Sequence, residues 1–140
     1  MKKRFLLQTL AIAALAASTS GVMAQEKFKI GLVLPMTGQQ ATTGRQIEAA
    51  VRLYMAQHGD TVAGKKIELI VKDDTSLPDQ TRRLAQELIG NDKVNVLAGM
   101  GITPSAMAVA PLATQSKTPL VVVAAATSSI TEASPYSVRT

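Results

Sequence analysis

The sequence points to an α/β fold, a doubly wound parallel sheet, on three observations. Short apolar runs begin near residues 28, 67, 94 and 119, and the first three are each followed by a stretch with helical spacing. The runs are continuously apolar rather than alternating, as strands covered on both faces are. The composition is 46% hydrophobic with four aromatic residues and no cysteine, which makes a core of Ala, Val, Leu and Ile. Strand–helix alternation at this spacing requires parallel strands joined by right-handed crossovers, with helices on both faces.

The first 24 residues stand apart from that pattern. Residues 1–4 carry three basic side chains, residues 5–17 form an apolar run, and Val22-Met23-Ala24 puts small residues three and one before a cut. This is the layout of a secretory signal peptide cleaved after Ala24, with a periplasmic mature chain starting at Gln25. The apolar run is about 13 residues where a spanning helix needs roughly 20. No cysteine follows the cut, so a lipid anchor is not indicated.

Past Ala24 the elements follow in order. Phe28 to Leu34 is a strand stopped by Pro35, and residues 36–43 are small and polar and read as a loop. Ile47, Ala50, Val51, Tyr54 and Met55 fall three and four apart, giving an amphipathic helix over 44–58. Gly59 and Gly64 bracket a turn, and residues 67–71 form the second strand. Ser76 with Asp79 fits a capping signal for a second helix through Leu84, Ala85, Leu88 and Ile89, closed by Gly90. Residues 94–98 are a third strand, 103–113 a third helix and 120–125 a fourth strand. Residues 136–140 resemble a short fifth strand. Three helices for four full strands leave one face thin, so residues 25–140 are expected to be part of a longer protein.

Charge and chemistry narrow the function. The net charge is +5, but Lys2, Lys3 and Arg4 supply three of it, and the rest holds 12 basic against 10 acidic groups. No basic stripe remains, which argues against nucleic acid. Ligands of an open parallel sheet bind at the carboxyl ends of the strands. The loops there hold Thr37, Thr42, Thr43, Thr103, Ser105, Thr127, Ser128 and Ser129, with no His or Lys. Hydroxyls and backbone amides hold a polar solute reversibly, but they supply no general base with a pKa near 7. The reading is therefore a binding module rather than an enzyme, with no cofactor and no metal.

Thr103-Pro104-Ser105 is the sharpest feature. Thr103 as N-cap with Pro104 at the first helical position would present free N–H groups and the helix dipole to a carboxylate. The same residues also read as a helix cap and nothing more. The other candidates are weaker. Asp73-Asp74 suits a metal or phosphoacceptor pair, but the first strand ends in Leu34-Pro35 rather than a carboxylate. Gly99-Met100-Gly101 opens a dinucleotide fingerprint that Pro104 breaks. His58, the sole histidine, falls at a helix C-terminus, where the dipole suits it. Ser105 has neither the glycine nor the histidine that a nucleophile elbow needs.

The ordered set of motifs resembles the amino-terminal lobe of the type I periplasmic solute-binding proteins that serve ABC transporters of the branched-chain amino acid class. The matching pieces are Ile30 to Gly38, Asp73-Asp74, Leu97-Ala98-Gly99, Ala125-Ala126-Thr127-Ser128, Ser134-Pro135-Tyr136 and Arg139-Thr140. The resemblance implies two lobes that close on a small solute, with a permease and an ATPase as partners. It implies that Thr103 meets a ligand carboxylate, flanked by Gly101 and Ile102. It implies that Ala125 and Thr127, with Ala126 between them, supply a carbonyl and a hydroxyl. The pocket wall that is often aromatic falls on Thr43, which weakens the case for a leucine-type ligand and leaves an aromatic acid or an amide open. A sensory module feeding a signalling partner is the competing function.

Overall fold

Residues 26–140 are described by a computed structural model, and the expected signal peptide and its cut lie outside them. Lys27–Leu34 (β1) is followed by Ala41–His58 (α1), a two-residue strand Thr61–Val62 (β2), and Lys65–Asp73 (β3). Pro78–Glu87 (α2) runs into a π-helical turn at Leu88–Asp92, then come Val96–Gly99 (β4), Thr103–Ser116 (α3) and Leu120–Val122 (β5). Ser129–Glu132 (α4) and Ser137–Arg139 (β6) complete the order. The strands form one sheet in the order β2-β3-β1-β4-β5-β6, parallel throughout except for β2, which pairs antiparallel with β3. The doubly wound α/β reading therefore stands.

Alternation along β1 assigns the helices to faces. Gly31 lies under Leu88 and Val94, so close that an added Cβ would sit 3.0 Å from a Leu88 methyl. Ile30 points the other way and lines a groove with Val51, Tyr54 and Met55 of α1. On the Gly31 side, α2 presents Thr81, Leu84 and Ala85, and Leu88 of the π turn continues this buried three-and-four stripe. It packs with Ala106, Val109, Leu112 and Ala113 of α3 against Val33, Leu97, Leu120 and Val122 of the sheet. That is the hydrophobic core. The α1 side is thinner: Gly44 is its sole buried residue, and Leu53 and Tyr54 stand 58% and 64% exposed.

Local expectations change at five places, the first being the fourth strand, expected over 120–125, which ends at Val122. Helix α1 starts at Ala41 rather than 44, because the Gly38 and Gln40 carbonyls accept the Ala41 and Gly44 amides and close a first turn. The turn between Gly59 and Gly64 carries the short strand β2. Ser76 does not cap α2: its backbone has φ 63°, its N–H donates to Asp74 Oδ1 at 3.0 Å, and Leu77 takes the cap position ahead of Pro78. Gly90 does not close α2 either. The chain widens into the π turn and stops at left-handed Lys93, whose N–H reaches the Leu88 carbonyl.

Candidate functional site

The carboxyl edge of the sheet is drawn together around Pro35, which is buried at the end of β1. The backbone of α1 rests on it so closely that a Cβ on Gly44 would lie 2.1 Å from the Pro35 carbonyl oxygen. From the other side, a Cβ on Gly101 would lie 2.6 Å from the Pro35 ring. Left-handed Met100 (φ 64°) donates its N–H to Val33 O at 3.0 Å and accepts the Ala125 N–H at 3.2 Å. The loop after β4 is thus held between β1 and the loop after β5. The first loop is fixed by Asp73, which accepts from the Met36 N–H (2.9 Å), the Thr37 N–H (3.3 Å), the Thr37 hydroxyl (2.7 Å) and the Thr75 N–H (2.8 Å). Partial burial works against ionisation of that carboxyl. The Thr37 hydroxyl and the amides of Thr75, Met36 and Thr37 outweigh it and hold its pKa below the ordinary 3.8.

Thr103 and Thr127, 24 positions apart, meet at this edge with their hydroxyl oxygens 2.9 Å apart. Thr103 is half-buried and Thr127 exposed, so the pair opens to solvent. The expectation that Thr103 caps its own helix is corrected here. Ile102 holds the extended cap position (φ −135°, ψ 152°), Thr103 is the first helical residue, and no side chain caps α3. The Thr103 hydroxyl is turned instead towards Thr127. Gly101 and Ile102 are half-buried beside it. Ala125 is buried and tied by its amide to Met100, while Ala126 is exposed and its carbonyl accepts from Arg139 Nη1 at 2.8 Å. Thr43, expected in a loop, is helical. It lies in the first turn of α1, half-buried, with its hydroxyl 3.4 Å from Gln40 Oε1.

Each threonine hydroxyl carries one proton and accepts as well. One of them donates to the other in the pair as it stands, and a carboxylate that displaces this mutual bond takes one proton from each. First-turn amides of α3 favour an anion at that end of the helix, and Arg139 brings a positive charge to the Ala126 carbonyl, next to Thr127 in the chain. The sequence assigns neither Asp73 nor Arg139 a part here, since the contacts that matter join Asp73 to Thr37, 36 positions away, and Arg139 to Ala126, 13 positions away. The Asp73-Asp74 pair is engaged with its own loops, Asp74 being buried against Thr81 and Ser76. His58 ends α1 at the opposite end from Thr43, stacked on Tyr54 at 4.1 Å, its ring nitrogen 3.0 Å from the Tyr54 carbonyl.

The family model for periplasmic binding proteins matches residues 27–140. The chain belongs to the periplasmic binding protein family. A Leu/Ile/Val-binding protein homolog of Brucella abortus (strain 2308) is 41% identical over 139 residues, covering 99% of this chain and 35% of the relative. Among solved structures, an ABC transporter solute-binding protein of Rhodopseudomonas palustris BisB5, in complex with 3,4-dihydroxybenzoic acid, is 68% identical with a TM-score of 0.80. A second R. palustris solute-binding protein, in complex with 4-hydroxybenzoate, is 44% identical with a TM-score of 0.78. Each covers 81% of this chain, and the chain covers 31% of each. This periplasmic binding protein chain thus spans about a third of the length of the relatives it matches. Those neighbours are solute-binding proteins rather than enzymes. Among the described residues no helix is long and apolar enough to cross a membrane.

Proposed function

We propose that this chain is the amino-terminal lobe, residues 25–140 after removal of a signal peptide at Ala24, of a solute-binding protein for an ABC uptake transporter. The complete protein binds a small carboxylate between two lobes, without catalysis, and delivers it to a membrane permease driven by an ATPase. The observation that carries this reading is the Thr103–Thr127 hydroxyl pair at the carboxyl edge of the sheet. Thr103 and Thr127 take the carboxylate, while Gly101, Ile102, Ala125 and Ala126 shape the floor and Thr43 stands on the side wall.

A hydroxybenzoate is the favoured ligand class. Support comes from the 68% and 44% identical proteins whose structures hold 3,4-dihydroxybenzoic acid and 4-hydroxybenzoate. Thr43, a small residue where an aromatic wall suits an aliphatic amino acid, agrees with it. The 41% identical Leu/Ile/Val-binding homolog supports a branched-chain amino acid as the second reading. A thermal-shift screen of the complete protein against hydroxybenzoates and branched-chain amino acids separates the two. Calorimetry on Thr103→Val and Thr127→Val then tests the site. Each variant removes a charge-assisted bond of roughly 1.5–3 kcal/mol, so affinity falls about tenfold to a hundredfold. Melting temperature changes little, because neither hydroxyl caps a helix. Unchanged affinity in both variants removes the site assignment.

A further inference from the structure

A buried polar chain runs beneath the candidate site and takes no direct part in it. Asp74, Thr81 and Ser105 are 1%, 0% and 0% exposed, in the loop after β3, in α2 and in α3 respectively. The Thr81 hydroxyl donates to Asp74 Oδ2 at 2.8 Å and stands 2.7 Å from Ser105 Oγ. Thr81 has one proton, and a carboxylate is the strongest acceptor near it, so Ser105 is the donor in the second bond. The Leu77 carbonyl, 2.9 Å from the Thr81 hydroxyl, competes for that proton without reversing the direction. Asp74 Oδ1 takes the Ser76 N–H at 3.0 Å, so both carboxylate oxygens are engaged.

The far end of the chain lies in the first turn of α3. That turn has no side-chain cap and no acidic residue to fix it. Residues two apart on a helix point to opposite sides, so Ser105 facing inwards directs Thr103 outwards, where it meets Thr127. We propose that Asp74 and Thr81, acting through Ser105, are positioning residues that set the first turn of α3 and thereby aim the Thr103 hydroxyl at the ligand carboxylate. This rests on the proposed binding role of Thr103 and Thr127. It assigns to α2 and the loop after β3 a share of the affinity, although neither touches the ligand.

The test is a double-mutant cycle in the complete protein, with 4-hydroxybenzoate, 3,4-dihydroxybenzoate and leucine as probes in calorimetry. Ser105→Ala removes one bond and leaves Thr81 still donating to Asp74, so the variant folds. Its affinity falls about fivefold to tenfold, and adding Thr103→Val costs less than it does in the wild type. Ser116→Ala, which removes a hydroxyl bonded to Leu112 O at the other end of α3, is the structural control and leaves affinity unchanged. Thr81→Ser keeps the hydroxyl and keeps the affinity. A lower melting temperature for Ser105→Ala at unchanged affinity, or strict additivity with Thr103→Val, overturns the positioning role alone. Insensitivity to Thr103→Val and Thr127→Val, or failure to bind every probe, overturns the site reading and this proposal with it.

Discussion

The Asp73 carboxylate takes four donors from the segments on either side of it, and those donors disappear when the chain unfolds. Its pKa is lower folded than the ordinary 3.8, so its contribution to stability is present in full above that value and is lost as the pH falls through the folded value. Asp73→Asn removes that dependence. Melting curves taken from neutral pH down to about pH 2 should show the variant less stable at neutrality and losing less on acidification. Parallel acid-side curves for variant and wild type would count against the clamp. Single residues were also where the sequence was hardest to read. Ser76 and Thr103 both carry local cap signals, yet the Ser76 amide goes to Asp74 and the Thr103 hydroxyl goes to Thr127. A cap signal is written in four neighbouring positions, whereas the partner that displaced the Thr103 cap is 24 positions away.

Whole elements were more legible, because a doubly covered strand must be apolar throughout and an amphipathic helix must repeat every three or four residues. Four of the parallel strands and the long helices follow from those two rules, whereas β6, Ser137–Arg139, is mostly exposed and is not an apolar run. Strand β2 escaped them because both its residues are exposed and its length is two. Two glycines illustrate the difference between pattern and packing. Gly44 lies inside α1, where alanine usually gains about 1 kcal/mol of helix propensity. Here its Cβ would meet the Pro35 carbonyl oxygen at 2.1 Å, so Gly44→Ala should destabilise by about 1–3 kcal/mol or more as α1 is pushed off β1. Gly90, which looked like a helix stop, has nothing within 4 Å of an added Cβ. Gly90→Ala should be neutral or stabilising by up to about 1 kcal/mol. Urea titrations of the two variants, with unchanged slopes, check both signs. A neutral Gly44→Ala would mean that α1 can lift from Pro35 freely.

At the scale of the molecule, the proposed two-lobe reading makes this edge one wall of a cleft. The Thr103–Thr127 pair faces open solvent, where two or three hydrogen bonds contribute about 1 kcal/mol each. Residues 26–140 alone should therefore bind any ligand of the complete protein at least about a hundredfold more weakly, since nothing shuts over it to exclude water. Equal calorimetric affinity for the two would remove the two-lobe reading. The topology also has a consequence in time. Ile30 of β1 pairs with Leu69 of β3 on one side and with Val96 of β4 on the other. The strand synthesised first is thus the centre of the sheet, and it is flanked on both sides only after Gly99 has been added. Pairings so distant in sequence form slowly. Until then the nascent chain has no closed core to resist being pulled, and it stays threadable through a narrow pore.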